Sequence, residues 1–485
     1  MSFSSYDHMP YRTLPQRESN PARLGAVARV LGVDAPSVGA CSVLEIGCGT
    51  GGNLIPLAAR YPESRFVGID LSGRQIQEAL LRVQELGLNN ITFQHVDVSD
   101  YSHKPGAFDY ILCHGVYSWV PEDVQQRILG LMVEALSTQG VAYISYNVLP
   151  GWYQRGALRD ILTFGSSLVG SAHSETRVRK ALEFLEVVAS SRSGEQDLYG
   201  AYLHDALRRL RDSDISYIAH EYLEEHNNPC TFSQFMTKAT AVGLQFLSES
   251  RPVFSSINDI STASQGVLTE IGDDLVAREQ ALDLFRNRSF RETLLCHSHH
   301  TLKRDLRASA LRDVVAVADY IPFASAGPPA YAGAKRFKEV ASGREISLPS
   351  GLYADVLTKI ASYHAAGIRV GSLVDQFTTS EAELLAAAAM LWSSGFITLE
   401  QLPIPAATSL DGAPHLSHVA RFQRDRGESI VTLRHQAFSP SVSEAELLKR
   451  IDGAKTFAEV IAGHDDPLAA KAILQAMLEC GIFLA

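Results

Sequence analysis

Val43-Leu44-Glu45-Ile46-Gly47-Cys48-Gly49-Thr50-Gly51-Gly52-Asn53 reads as a buried strand, a glycine turn and the start of a helix. Gly47, Gly49 and Gly51 alternate, so the backbone can turn tightly and a ligand can lie against it with no Cβ in the way. Free N–H groups at the following helix start favour a polar or anionic ligand group. Alone, such a turn is a weak signal. Its surroundings give it weight.

Around the turn, strand and helix alternate. Strands are expected over 42–46, 65–70, 91–96, 108–114 and 140–146, and helices over 52–60, 73–86 and 122–136. Short β-rich runs between amphipathic helices imply βαβ units and a parallel sheet covered on both faces. Before them lie a polar arm dotted with aromatics and a short helix near 21–31. Residues 153–228 carry helical spacing without strands. The α/β pattern then returns, with a helix over 231–242 capped by Thr231 or Ser233, a stop at Gly243, a strand over 244–248, a helix over 273–285 and a strand over 291–297. The economical organisation is one α/β sheet domain over 1–150 and 230–303, interrupted by a helical insertion over 151–229.

Beyond 304 two segments resemble each other. Ala388-Ala389-Met390-Leu391-Trp392-Ser393-Ser394-Gly395-Phe396-Ile397-Thr398-Leu399 parallels Leu474-Gln475-Ala476-Met477-Leu478-Glu479-Cys480-Gly481-Ile482-Phe483-Leu484. Each unit reads helix, short helix, helix, then strand after a glycine. That order suits two mostly α, winged-helix-like modules over 304–402 and 415–485. Stretches 323–335 and 403–414 read as linkers.

The chain has 485 residues, 46% of them hydrophobic, and a net charge of −11, which disfavours a nucleic-acid grip because phosphate binding needs a basic face. Six scattered cysteines without a CxxC pair suggest free thiols in a reducing compartment. Residues 1–10 lack an apolar signal core, and the longest apolar run, 384–392, is too short to cross a bilayer. The expectation is a soluble, cytoplasmic protein with no membrane insertion. No metal is expected, since Cys296-His297-Ser298-His299-His300 packs its ligands too tightly in sequence.

Four features fall at the carboxyl ends of successive strands, where doubly wound sheets bind ligands. They are the glycine turn, Asp70, Asp97, and the segment Cys113-His114-Gly115-Val116-Tyr117-Ser118-Trp119-Val120-Pro121. An acid about twenty residues past the glycines can accept both hydroxyls of a ribose. Asp97 can accept an adenine amino proton, with the Val98 amide at the ring edge. Singly, each also fits a plain role: Asp70 or Ser72 as a helix cap, Asp97 as a turn residue, Tyr117 and Trp119 as core.

A dinucleotide fingerprint would read G-x-G-x-x-G. Here Glu45 stands two residues before the first glycine, and Glu-x-Gly-x-Gly-x-Gly resembles the first motif of class I S-adenosylmethionine-dependent methyltransferases. The resemblance implies a Rossmann-like sheet with S-adenosyl-L-methionine as cofactor. It places Gly47 and Gly49 beneath the methionine part and Glu45 near its amino group through an intermediary, with Cys48 and Asn53 in the same set. Asp70 would hold the ribose, Leu71 the adenine face, Asp97 and Val98 the adenine edge, and His114 the methionine end. The segments 6–11, 114–121, 145–152, 220–225 and 286–297 are similar to methyltransferases carrying a methyltransferase regulatory domain, among them rickettsial-type protein-lysine methyltransferases.

Methyl transfer is an in-line displacement at a sulfonium, for which the protein mainly positions and desolvates. Aromatic faces can stabilise a sulfonium or an ammonium. Tyr6 and Tyr11 would belong to a lid over the cofactor, and Tyr117, Trp119, Tyr146 and Trp152 to an acceptor channel, with Tyr117, Trp119, Tyr146 and His114 as the catalytic set. A lysine acceptor in a dry channel needs no dedicated base, whereas a phenol would use His114. After the fourth strand there is no Asn/Asp-Pro-Pro-aromatic run of the kind that accompanies methylation of base amines or glutamine. The expected function is a protein N-methyltransferase acting on lysine, with a protein or peptide substrate and room for a homodimer. A small-molecule or peptide-natural-product methyltransferase, or a cofactor-binding regulator with little turnover, are the alternatives.

Overall fold

The computed structural model describes residues 13–170, 174–192, 197–257, 259–304, 308–324 and 331–485. After α1 (Pro21–Val30) the chain alternates β1 (Ser42–Ile46), α2 (Leu54–Arg60), β2 (Arg65–Asp70), α3 (Gly73–Leu86), β3 (Ile91–His95), β4 (Phe108–Cys113), α4 (Glu122–Ala135) and β5 (Leu136–Asn147). Local chemistry sets these limits. The Ser72 side chain accepts from the Gln75 amide at the start of α3, and Gly87, at φ +64°, ends the helix in the left-handed region.

Four helices, α5 (Trp152–Ser167), α6 (Ser174–Ser190), α7 (Leu198–Arg211) and α8 (Ile215–Tyr222), stand between β5 and the return to the sheet. They enclose a core of their own, with Leu158, Leu162, Leu185, Leu203 and Ile218. The return runs through α9 (Phe232–Ala241), opened by a Thr231/Gln234 capping box, then β6 (Leu244–Glu249), α10 (Thr262–Ile271), α11 (Leu275–Arg286) and β7 (Phe290–His297).

The strands form one seven-stranded sheet in the order β3-β2-β1-β4-β5-β7-β6. β1 to β5 run parallel, while β7 is antiparallel to both β5 and β6. β1 lies between β2 and β4, so the strand order reverses beside it. That reversal opens a crevice at the carboxyl ends of β1 and β4. One face of the sheet, with Val43, Tyr110, Leu112 and Tyr143, packs with α1, α2, α3 and the 304–402 region. The opposite face, with Leu44, Ile111, Cys113 and Ile144, packs on α4 and α9.

Past 304 the two units share an order. In the first, α12 (Leu352–Ala361), a 3-10 helix (Val370–Gln376) and α13 (Glu381–Ser393) lead through Gly395 to a strand (Ile397–Glu400). In the second, α14 (His418–Asp425) precedes α15 (Val442–Lys449), α16 (Phe457–Ala462) and α17 (Pro467–Cys480), which leads through Gly481 to a strand (Phe483–Leu484). The first unit is richer in strand than expected, with two three-stranded sheets, and Ala334–Glu339 is a strand where the linker was expected to end. Within that strand only Phe337 is fully buried, so its periodicity carried little signal.

An ionic knot fastens β7 to α11. Arg291, fully buried, donates to Glu249 Oε1 at 2.7 Å, to Glu279 Oε2 at 3.0 Å and to Asp283 Oδ1 at 2.8 Å, and lies over the Phe232 ring. The neighbouring arginines hold the Glu249 carboxyl down at about 2 against the pull of burial. Removing the cation would strand these carboxylates out of water. Arg291→Met is expected to lower unfolding stability by about 3–5 kcal/mol, read as a lower urea midpoint.

Candidate functional site

The crevice is built from four strand ends. Behind β1, the Gly47 and Cys48 amides both donate to Ile69 O, at 2.9 and 3.1 Å, tying the turn to the end of β2. Gly47 and Gly49 sit at φ +74° and +53°. A Cβ on Gly47 would stand 2.3 Å from Val116 Cγ2, and one on Gly49 2.3 Å from Thr13 Cγ2. Glycine is needed here because the chain's own Val116 and Thr13 pack against the turn. Thr13 Oγ1 also accepts from the Gly52 amide at 3.1 Å and contacts Thr50 Oγ1 at 2.5 Å. The segment that follows the N-terminal arm thus lies on the turn. Tyr6 and Tyr11 themselves fall outside the described residues.

Asp70 ends β2 and braces the turn. Its Oδ2 accepts from the Gly49 amide and its Oδ1 from the Ser72 amide, each at 2.8 Å. Beside it Leu71 is 57% exposed, an apolar side chain at the mouth of a polar crevice. Asp97 follows β3, with its Oδ1 accepting from the Ser99 amide at 2.8 Å, and Val98 is partly buried against the sheet. The Val96 amide donates to Asp70 O, which brings the two strand ends together.

Glu45 is only 4% exposed. Its Oε1 accepts from Asn53 Nδ2 at 2.7 Å, while its buried Oε2 has no hydrogen-bond partner among the described residues. Burial, against the Asn53 hydrogen bond and with help from Asp70, pushes this carboxyl up to about 8. An unpartnered buried carboxylate oxygen suits a cationic donor such as an α-ammonium group.

The Asn53 side chain is taken up by the fold's own groups. Its Nδ2 donates to Glu45 Oε1 and to Ser19 Oγ, and its Oδ1 accepts from the Gln16 amide and from His435 Nε2. A side-chain amide has two donors and two acceptor lone pairs, so nothing is left for a ligand. Asn53 orients Glu45 instead. The Cys48 side chain is likewise turned inward, next to Gly68, and burial raises its thiol well above the usual range.

His114 follows β4. Its Nδ1 lies 2.8 Å from Tyr143 Oη, which donates to Glu292 Oε1 at 2.9 Å. Phe290 sets its ring edge-on to the imidazole. Burial lowers the imidazole to about 4, so it is neutral at physiological pH. Tyr143 and Glu292 were not singled out from sequence, where they read only as alternate positions of two strands.

The rings expected to form an aromatic channel divide between the core and the surface. Tyr117 and Tyr146 are each 1% exposed and pack with Phe235 on the α4/α9 face of the sheet, Tyr146 stacking on it at 4.1 Å. Apolar rings at a strand end find more contact in that core than in the crevice. Trp119 is partly exposed and meets the buried Trp152 edge-on at 6.1 Å, and Arg155 lies over the Trp152 ring. The histidines after β7 are occupied with backbone: His297 Nε2 contacts Leu136 O and His300 Nε2 contacts Thr138 O. Among the described residues no group of three His, Cys, Asp or Glu side chains is arranged to hold a metal ion, and no helix is long and apolar enough to cross a membrane.

Comparison with known proteins agrees with this geometry. Residues 43–140 match a methyltransferase domain, and residues 214–297 a predicted methyltransferase regulatory domain. The chain is 37% identical over 317 residues to the uncharacterized protein RP789 of Rickettsia prowazekii (strain Madrid E), covering 65% of this chain and 57% of that one. It is 34% identical over 235 residues to RP028 of the same organism, covering 48% of this chain and 93% of that one. The solved structure of PKMT2 from Rickettsia typhi in complex with AdoHcy superposes with a TM-score of 0.85 at 25% identity, over 98% of this chain and all of that chain. AdoHcy is what S-adenosylmethionine becomes on losing its methyl group. The chain belongs to the class I S-adenosylmethionine-dependent methyltransferases that carry a methyltransferase regulatory domain.

Proposed function

We propose that this methyltransferase modifies lysine side chains of a protein. The observation that carries the reading is the charge of the His114 end of the crevice. Glu292 is half-buried there, and burial together with the nearby Glu18 carboxylate raises it to about 7. Acids crowded in this way are relieved by a cation, and an alkylammonium is a cation of the right reach. The missing Asn/Asp-Pro-Pro-aromatic run argues against base and glutamine amines. Resemblance to the rickettsial-type enzymes points the same way.

The cofactor supplies an electrophilic methyl on sulfur. Around it, Asp70 is suited to the ribose hydroxyls, Leu71 to the adenine face, Asp97 and the Val98 amide to the adenine edge, and Glu45 to the amino group. The sheet edge and the Thr13 segment hold these groups in place.

Incubating the protein with S-adenosylmethionine labelled in the methyl group and a cell lysate should place label in protein bands, recovered as methyllysine after acid hydrolysis. Label confined to small molecules would refute the protein reading. Asp70→Ala should weaken cofactor binding by about 3 kcal/mol, roughly a hundredfold in Kd by calorimetry. Unchanged affinity would remove Asp70 from the ribose site. Glu45 carries a proton at pH 7 in the free protein, because its carboxyl sits at about 8. An ammonium bound beside it lowers that value, so binding should release close to one proton at pH 7. Calorimetry in buffers of different ionisation enthalpy reads this release, and Glu45→Gln should abolish it.

A further inference from the structure

We propose that His114, Tyr143 and Glu292 form a proton relay that takes a proton from the acceptor amine and stores it on the Glu292 carboxyl. The inference rests on the lysine reading above and assigns roles to two residues outside the cofactor motifs. Three strands supply the three groups: His114 follows β4, Tyr143 lies on β5 and Glu292 on β7. Leu112 pairs with Tyr143, and Ser145 pairs with Glu292, so the groups share one face at the crevice end of the sheet.

The hydrogen bonds run in a line. Tyr143 Oη donates to Glu292 Oε1 at 2.9 Å, so its oxygen accepts from His114 Nδ1 at 2.8 Å. That fixes the Nδ1–H tautomer. His114 Nε2 then carries the lone pair, and none of the described residues binds it. Val116, two residues on, lies against Gly47, so the segment that carries His114 runs beside the glycine turn.

The transfer balances. An ammonium N–H bond breaks and its proton joins His114 Nε2. The Nδ1 proton passes to Tyr143 Oη, whose own proton passes to Glu292 Oε1. Imidazole and phenol end neutral, with both hydrogen bonds reversed, and Glu292 ends as the acid. The freed amine pair forms the N–CH3 bond while the S–CH3 bond breaks, and its electrons stay on sulfur. One sulfonium and one carboxylate charge disappear together.

The surroundings suit Glu292 to this task. Glu18 and Glu249 face it and raise its proton affinity, while Arg251 Nε, 4.0 Å away, and the Tyr143 hydroxyl oppose them. A carboxyl near 7 is a base poised at working pH. Glu249 cannot substitute, because Arg288 and Arg291 hold it ionised. His114 and Tyr143 titrate far from neutrality and serve as conduits. The expectation that a lysine acceptor needs no dedicated base gives way to this arrangement.

Glu292→Gln and Tyr143→Phe keep shape and break the relay. With a labelled protein acceptor, wild-type kcat/KM should rise tenfold per pH unit up to about 7 and then level. Each variant should be about 10²–10⁴-fold slower at pH 7, and Glu292→Gln should lose the rising limb. Cofactor Kd and thermal unfolding should stay at wild-type values, which separates the relay from a folding defect. Either variant retaining wild-type rate and pH limb would overturn the proposal. An independent readout needs no acceptor. Nitrogen-15 spectra recorded well above pH 7, where Glu292 is ionised, on the histidine-labelled, cofactor-bound protein, with His114 assigned from a His114→Gln spectrum, should show the Nδ1–H tautomer, lost in Tyr143→Phe. An Nε2–H tautomer in the wild type would overturn the relay even if lysine were methylated. Failure of the lysine reading shows instead as absence of methyllysine.

Discussion

A single saturated side-chain amide holds the cofactor end of this protein together. Asn53 spends both donors on Glu45 and Ser19, and both acceptor sites on the Gln16 amide and His435. Losing any partner would leave a buried polar group unpaired, at a cost of about 1–3 kcal/mol. The orientation of Glu45 therefore depends on the N-terminal segment and on the last quarter of the chain as much as on its own strand. The glycine turn is ringed by further ties of the same kind. Arg82 pairs with Glu428, Arg426 with Glu85, and the Arg60 guanidinium donates to Leu433 O.

Two treatments of buried acid stand side by side. In the β7/α11 knot, Arg288 and Arg291 hold Glu249 down at about 2, while Asp283, bonded to the same Arg291, is still raised by burial to about 6. At the crevice burial prevails: Glu45 has no cation beside it, Glu292 has only Arg251 at 4.0 Å, and both carboxyls are raised. Uncompensated acids are costly in a folded chain and are kept where a ligand supplies the missing charge. S-adenosylmethionine, the cofactor of this family, carries such a charge in its own ammonium group. The same contrast explains why Arg291 is structural although it lies on the strand that bears Glu292.

Much of the central sheet was legible because its signals are local. Val43–Asn53 contains its own strand, turn and helix start, and Ser72 and Thr231 cap helices within three residues of themselves. Asp70 was legible too, since its partner Gly49 lies 21 residues away in the same βαβ unit. The contacts of Tyr143, Glu292 and His435 were not. Tyr143 meets Glu292 across 149 residues, and His435 meets Asn53 across 382. No periodicity spans such distances. The sheet face taken by Tyr117 and Tyr146 was hidden for a related reason. Their place at strand ends is right for a channel, but the choice of sheet face turns on Phe235, supplied by a helix beyond the insertion.

The tautomer of His435 follows from the same accounting. The Asn53 amide donors point to Glu45 and Ser19, so its oxygen faces the imidazole, and His435 Nε2 must donate. Burial, aided by Arg60 and Arg23, pushes this histidine down to about 3, so it donates as a neutral ring. A charged ring would have added a cation next to Glu45 and lowered that carboxyl into the ionised range. The neutral ring leaves Glu45 short of a positive charge. His435, held at φ +58°, thus orients Asn53 while leaving the Glu45 carboxyl raised.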